Sequence, residues 1–137
     1  MESLKQELLS RELTCLVIWE TGRFESQKRG VSPLLELLQT QGSCKGGKAA
    51  DKVVGRATAF LYKLLQIKTL HAGVISQGAL EVLQQSSITV TYDTLVPGIR
   101  NRTDTGPCPM EAATANCETP EEALNAIRAT LDKLANP

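Results

Sequence analysis

The sequence has few of the residues from which zinc sites, disulfide frameworks and membrane spans are built. His71 is the only histidine among 137 residues, and no two cysteines have C-x-x-C spacing. Structural zinc sites need closely spaced Cys and His ligands. No apolar run reaches the roughly 18 residues of a membrane span, and the polar segment Met1–Glu7 lacks the pattern of a signal peptide. We therefore expect a cytoplasmic protein with no metal, no cofactor and no membrane contact.

The composition also limits which kinds of protein this can be, through its cysteines, its aromatic residues and its net charge. In a reducing compartment the cysteines stay free. We expect Cys15 in the core and Cys44 and Cys117 on the surface. Aromatic residues make up 4%, and 15 basic residues balance 15 acidic ones, which argues against a nucleic-acid-binding protein. The balance is uneven, since residues 23–68 hold nine basic and three acidic residues, a net charge of +6.

Apolar periodicity predicts alternating helices and strands, typical of an α/β fold, over one domain of residues 1–137. The predicted helices are 2–12, 32–42, 49–67, 77–85 and a last one from Pro120, capped by Thr119. The predicted strands are 13–19, 23–27, 69–75 and 88–92. The first two strands form a hairpin, and the last two belong to a βαβ unit. Residues 93–118 are expected to be a long irregular loop.

The first candidate binding segment lies before the predicted long helix. Glycines allow backbone N–H groups to turn toward a ligand, and a helix N-terminus favours an anion. The candidate ligand-binding residues here are Lys45, Gly46, Gly47, Lys48 and Lys52. A solvated loop before a helix is the alternative.

The second candidate segment is the long loop, because ligands of open α/β sheets bind outside the carboxyl ends of strands. Its candidate binding residues are Asn101, Arg102 and Thr103, and Ser76 would join them from the preceding strand. The candidate catalytic residues are Cys108 as nucleophile and Asp51 or Glu111 as acid or base. The alternative is a rigid Pro-rich turn with an inert cysteine. His71 fits a core or edge position better than that of a general base.

Several motifs together resemble an uncharacterised family of small prokaryotic proteins, a domain of unknown function. They are Ala50–Ala57, His71–Ser76, Tyr92–Pro97, Asn101–Thr103 and Cys108–Glu111. The resemblance implies a cytidine-deaminase-like fold, a three-layer α/β/α sandwich around a mixed sheet.

The chain departs from true deaminases at the zinc motifs. Deaminases carry a His/Cys-Ala-Glu triplet at the start of the long helix and Pro-Cys-x-x-Cys after the next strand. This sequence has Ala49–Asp51 at the first place and Ser76–Ala79 at the second. Any enzyme here would therefore not be a zinc-dependent deaminase. A short second likeness, at Asp51-Lys52, is to the formate dehydrogenase accessory sulfurtransferase, which would make Cys108 a sulfur or acyl carrier.

Two functions remain open. The first is a zinc-independent deaminase-like domain that binds a small anionic or nucleotide-like ligand between residues 45–52 and 93–111, with or without catalysis. The second is a non-catalytic binding or assembly module on the same fold, since fold does not fix function. Self-association into a homo-oligomer is compatible with both.

Overall fold

A computed structural model of the chain describes residues 2–100, 106 and 108–135. The helices are α1 Glu2–Ser10, α2 Ser32–Gln41, α3 Arg56–Leu65, α4 Gln77–Gln84, α5 Pro109–Thr114 and α6 Pro120–Ala135. The strands are β1 Cys15–Trp19, β2 Gly22–Ser26, β3 Lys48–Val54, β4 Thr69–Ser76 and β5 Thr89–Val96.

The strands form one mixed five-stranded sheet in the order β2-β1-β3-β4-β5. β1 is antiparallel to β2 and to β3, whereas β3, β4 and β5 are parallel. The predicted hairpin and βαβ unit are both confirmed. Parallel order brings the carboxyl ends of β3, β4 and β5, at Val54, Ser76 and Val96, to the same edge of the sheet.

The two faces of the sheet are covered unequally, because α1 packs alone on one of them. Leu4 and Leu8 of α1 form a small buried cluster with Leu16 and Ala50. Buried residues of α2, α3, α4 and α6 join the main core on the opposite face. The result is the expected α/β arrangement of helix, sheet and helix layers, with α1 as the thin outer layer.

The predicted helix over residues 49–67 is wrong in its first third. Residues Lys48–Val54 are a central strand, and the helix begins only at Arg56, after Gly55. Alanine favours helices, and Val53 and Val54 continue the helical spacing of α3, so the local pattern resembles one long helix. Ala49 and Ala50 are fully buried on opposite faces of the sheet.

Three further expectations are corrected. Cys44 is fully buried and Cys117 nearly so, although both are free thiols, as is the buried Cys15. The segment 93–118, which was expected to be irregular, contains the second half of β5 and the short helix α5.

Within the described residues, no helix has the length and apolar content needed to cross a membrane.

Candidate functional site

The carboxylate of Glu111 lies where α3 and α4 begin, at the carboxyl ends of β3 and β4. Its Oε1 accepts a hydrogen bond from the backbone N–H of Arg56, the first residue of α3. The same oxygen accepts a bond from the Ser76 hydroxyl at 3.3 Å. A negative group is stabilised at a helix N-terminus by the unpaired N–H groups and the helix dipole. We call Gly55, Arg56, Ser76 and Glu111 the Glu111 site.

Ser76 and Gly55 shape this site from the sheet side. Ser76 is fully buried and is the N-cap of α4, since its Oγ accepts the Ala79 N–H at 3.1 Å. Gly55 is the N-cap of α3, and a Cβ there would lie 2.6 Å from Glu111 Oε1. A side chain at position 55 would displace the carboxylate, so the site depends on glycine there.

The guanidinium of Arg56 connects α3 to α4, to α5 and to the segment that follows α5. It donates to the carbonyl oxygens of Thr114 at 2.8 Å, Gly78 at 3.1 Å and Cys117 at 2.7 Å. It also lies 5.3 Å from the ring centre of Phe60, a cation–π contact. Glu111 is therefore held by the backbone N–H of Arg56, while the guanidinium of the same residue is used on backbone carbonyls.

Cys108 stands one helical turn before Glu111, as the N-cap of α5. Its N–H donates to the Ile99 carbonyl at 2.8 Å, and its own carbonyl accepts from Ala112 at 3.1 Å. The side chain is half-buried and free. The structure thus brings Ser76 and Glu111 into contact and places Cys108 at the start of the same short helix.

Asp51 belongs to a different cluster, in the core between β3, β1 and α3. Its carboxyl group accepts from the Tyr62 hydroxyl at 2.6 Å and from the Val53 N–H at 3.2 Å. Cys15 Sγ lies 3.5 Å from the same hydroxyl. Burial raises the pKa of Asp51 to about 7 despite these hydrogen bonds, and burial also raises the pKa of Cys15 and of Tyr62.

The glycine-lysine segment lies at the other end of β3. Lys45, Gly46 and Gly47 precede Lys48, which pairs with Ile18 and with Thr69 at the amino end of β4. A seven-residue strand is roughly 20 Å long, so this segment and the Glu111 site do not line one cleft.

The remaining predicted binding residues are Lys52, Asn101, Arg102 and Thr103. Lys52 is exposed on β3, and its N–H donates to the Thr14 carbonyl at 2.9 Å. The other three lie outside the described residues. Because Asp51 and Lys52 are on a strand, the likeness to a sulfurtransferase helix has no structural counterpart here.

His71 is nearly buried on β4 and connects the sheet to α1. Its Nδ1 lies 2.8 Å from Thr91 Oγ1, and its Nε2 lies 3.4 Å from Asp93 Oδ2. Lys5 of α1 donates to Asp93 Oδ1 at 2.8 Å. The expected core or edge placement of His71 agrees with its 7% exposure.

The side chains at the Glu111 site do not fit a zinc ion. The start of α3 offers Gly55, Arg56 and Ala57, and the start of α4 offers Ser76 and Gln77. These supply neither imidazole nor thiolate, which zinc sites need. Among the described residues, no three His, Cys, Asp or Glu side chains are grouped so that they could hold a metal ion.

Comparison with known proteins places the chain in a family. The profile of a domain of unknown function, DUF1893 (TM1506), matches residues 3–131. The chain belongs to the DUF1893 family. A DUF1893 family protein from Thermotoga maritima has a solved structure that is 26% identical, with a TM-score of 0.87 over 93% of this chain and 87% of that one. No curated protein matches the sequence.

A second solved structure comes from a study of A-to-I editing by tRNA:A34 deaminases at the wobble position of transfer RNA. It is 8% identical, with a TM-score of 0.45, over 66% of this DUF1893 chain and 86% of that chain.

The expected membership in an uncharacterised family is confirmed by the family profile and by the Thermotoga maritima protein.

The sequence interpretation missed Gly55 and Arg56 as site residues. An arginine inside the apolar stripe of a helix is a signal that could have singled out Arg56, because a buried guanidinium needs several acceptors. The glycine before it, Gly55, follows the end of β3 but lies inside the range predicted to be one long helix.

Proposed function

We propose that this protein binds a small anionic or nucleotide-like ligand at the Glu111 site, with the acidic group of the ligand at the position of the Glu111 carboxylate. The observation that carries the proposal is that the first N–H of α3 and the Ser76 hydroxyl both donate to a carboxylate. Glu111 therefore acts as an internal anion that a ligand's carboxylate or phosphate must replace.

The position in the fold supports this proposal. Ligands of open α/β sheets bind at the carboxyl ends of parallel strands, and anions bind at helix N-termini. Glu111 is half-buried on the six-residue helix α5.

The proposed binding site is smaller than the one expected from the sequence. It retains Ser76, Cys108 and Glu111 and leaves out the segment before β3. If the site is also catalytic, Glu111 would be its acid or base and Cys108 its nucleophile. Asp51, whose partners are Tyr62 and Val53, would act only on the stability of the sheet.

The test is chemical replacement of the Glu111 carboxylate. Glu111→Ala removes the internal anion, so we expect lower stability and a rise in melting temperature on adding acetate, phosphate or a nucleoside monophosphate. The wild type should respond more weakly to each anion, because its own carboxylate competes. Thermal unfolding across an anion concentration series measures both effects, and calorimetric titration gives the affinities.

The matched control is Glu20→Ala, since Glu20 is an exposed glutamate in the turn between β1 and β2. This variant should keep the wild-type response to all three anions. The proposal is wrong if Glu111→Ala, folded by circular dichroism, responds to each anion no more than Glu20→Ala does.

A non-catalytic binding or assembly module is the second candidate function. The observation that favours it is that, within the described part of the chain, every buried side-chain nitrogen or oxygen already has a hydrogen-bond partner. Mass spectrometry of small molecules that co-purify with the native protein separates the two functions. A stoichiometric anionic metabolite supports ligand binding, whereas its absence together with unresponsive Glu111→Ala supports the module.

A further inference from the structure

The two edges of the sheet differ in length and in charge. β2 is five residues long and carries Arg23 and Glu25, which form ion pairs with each other and with Glu7 and Arg11 of the α1 region. Charged side chains on a short edge strand discourage pairing with another chain. The β2 edge is thus protected against a further strand.

β5, the opposite edge among the described strands, carries one charged residue, Asp93, whereas β2 carries two. β5 is eight residues long, Thr89–Val96, and it contains neither lysine nor proline. Tyr92 and Leu95, two of the large apolar side chains exposed in the described chain, lie on it at 41% and 39% exposure. A long edge strand with exposed apolar and β-branched side chains is a template for one more strand.

The one charge on β5 is neutralised within the chain. Asp93 pairs with Lys5 at 2.8 Å and faces His71 at 3.4 Å. Two copies of β5 can therefore approach with little like-charge repulsion from this carboxylate, provided that the two Asp93 residues are not placed opposite each other.

We propose that β5 pairs antiparallel with β5 of a second copy, across a two-fold axis, and so joins the two sheets of a homodimer. A two-fold axis perpendicular to the sheet makes the interface isologous. The same axis requires that one residue of β5 lies directly opposite its own copy in the second strand, and this residue is the centre of the register. Centring on Tyr92 overlaps residues 89–95, and centring on Asp93 overlaps residues 90–96.

Charge selects between these two registers. Centring on Asp93 sets two carboxylates directly opposite, which is unfavourable. Centring on Tyr92 sets the two tyrosines opposite each other, Val90 opposite Thr94, and Thr91 opposite Asp93. Aromatic pairs stabilise antiparallel strands, and this register sets no two carboxylates opposite each other, so the dimer is centred on Tyr92.

Sedimentation equilibrium over a wide concentration range tests the dimer. We expect wild-type protein to dimerise reversibly and Tyr92→Lys to raise the dimer dissociation constant at least tenfold. Leu9→Lys is the control, because Leu9 is 65% exposed on α1, away from this edge, and should dimerise like wild type. Circular dichroism establishes that both variants are folded.

A disulfide test fixes the register without relying on a loss of binding. In a Cys108→Ser background, in which the other three cysteines are buried, Tyr92→Cys should form a covalent dimer under mild oxidation. Leu9→Cys in the same background should not. A chain that stays monomeric at all concentrations, or a dimer that Tyr92→Lys leaves intact and Tyr92→Cys does not cross-link, would overturn the proposal.

Discussion

Burial removes the Asp51 carboxyl group from water and raises its pKa from 3.8 to about 7. Folding therefore keeps a proton on Asp51 between these two values. The stability gained from this protonated form is fully present below pH 3.8 and is lost as the pH rises through 7. Its neighbours Tyr62 and Cys15 have raised pKa values, so both stay neutral in this range.

The first prediction concerns this residue. The free energy of unfolding of the wild type should fall, from this group alone, by on the order of 4 kcal/mol between pH 4 and pH 8. Asp51→Asn keeps an oxygen for the Tyr62 hydroxyl and cannot ionise, so it should remove most of this dependence. Urea denaturation at several pH values measures the free energy of unfolding. The control is Glu20→Gln, an exposed position, which should keep the wild-type change of this free energy with pH.

The second prediction concerns Gly55 and Glu111. A Cβ at position 55 would lie 2.6 Å from Glu111 Oε1, the movable end of a side chain. Gly55→Ala should therefore displace the carboxylate and cost about 1–3 kcal/mol, the value of a charged hydrogen bond. In a Glu111→Ala background the same substitution should cost less. Additive losses in this double-mutant cycle, measured by urea denaturation, would contradict the contact.

At the scale of elements, β3 and β4 approach closely at one point. A Cβ on Gly73 would lie 2.7 Å from the backbone oxygen of Lys52. Neither backbone can move without disturbing the centre of the sheet, so no flexible group can relieve the overlap. This differs from Gly55, where a side-chain end can shift.

The third prediction follows from this approach. Gly73→Ala should destabilise the protein by about 1–3 kcal/mol through overpacking. Gly98→Ala is the matched control, because its Cβ would meet nothing nearer than Glu111 Oε2 at 3.9 Å. Equal stabilities of the two variants in chemical denaturation would show that the strands can separate at Gly73 at little cost.

The approximate boundaries of most elements could be predicted, whereas β3, the second half of β5 and α5 were not. The hairpin of β1 and β2 follows from a buried apolar run, a turn at Thr21-Gly22 and an alternating partner. The last helix follows from Thr119, whose hydroxyl accepts the Glu122 N–H at 3.2 Å. β3 could not be predicted, because its alanines suit a helix locally and become strand residues only between β1 and β4.

At the scale of the whole molecule, three basic residues of the segment 23–68 are held by contacts within the fold. Arg23 forms ion pairs with Glu7 and Glu25, and Arg56 is held by backbone carbonyls. Lys28 lies 3.7 Å from Glu36. These contacts hold three of the nine basic residues, and Glu7 is the acidic partner among them that lies outside residues 23–68.

The fourth prediction is that the protein does not bind nucleic acid through this segment. Fluorescence anisotropy with a labelled single-stranded RNA should show no saturable binding at low salt, and thus no steep loss of affinity across a salt series. An apparent affinity that falls by several orders of magnitude between about 50 and about 200 mM salt would instead indicate a phosphate-binding surface. The low aromatic content argues in the same direction.

The sequence by itself determined the hairpin, the parallel βαβ unit, the last helix and the family motifs, because turn residues and apolar periodicity act over a few neighbouring residues. Only the tertiary structure decided that residues 48–54 are a central strand and that Glu111 reaches the first N–H of α3. These two groups are 55 residues apart in sequence. Their contact depends on how β3, β4 and α5 pack together, which no local pattern specifies.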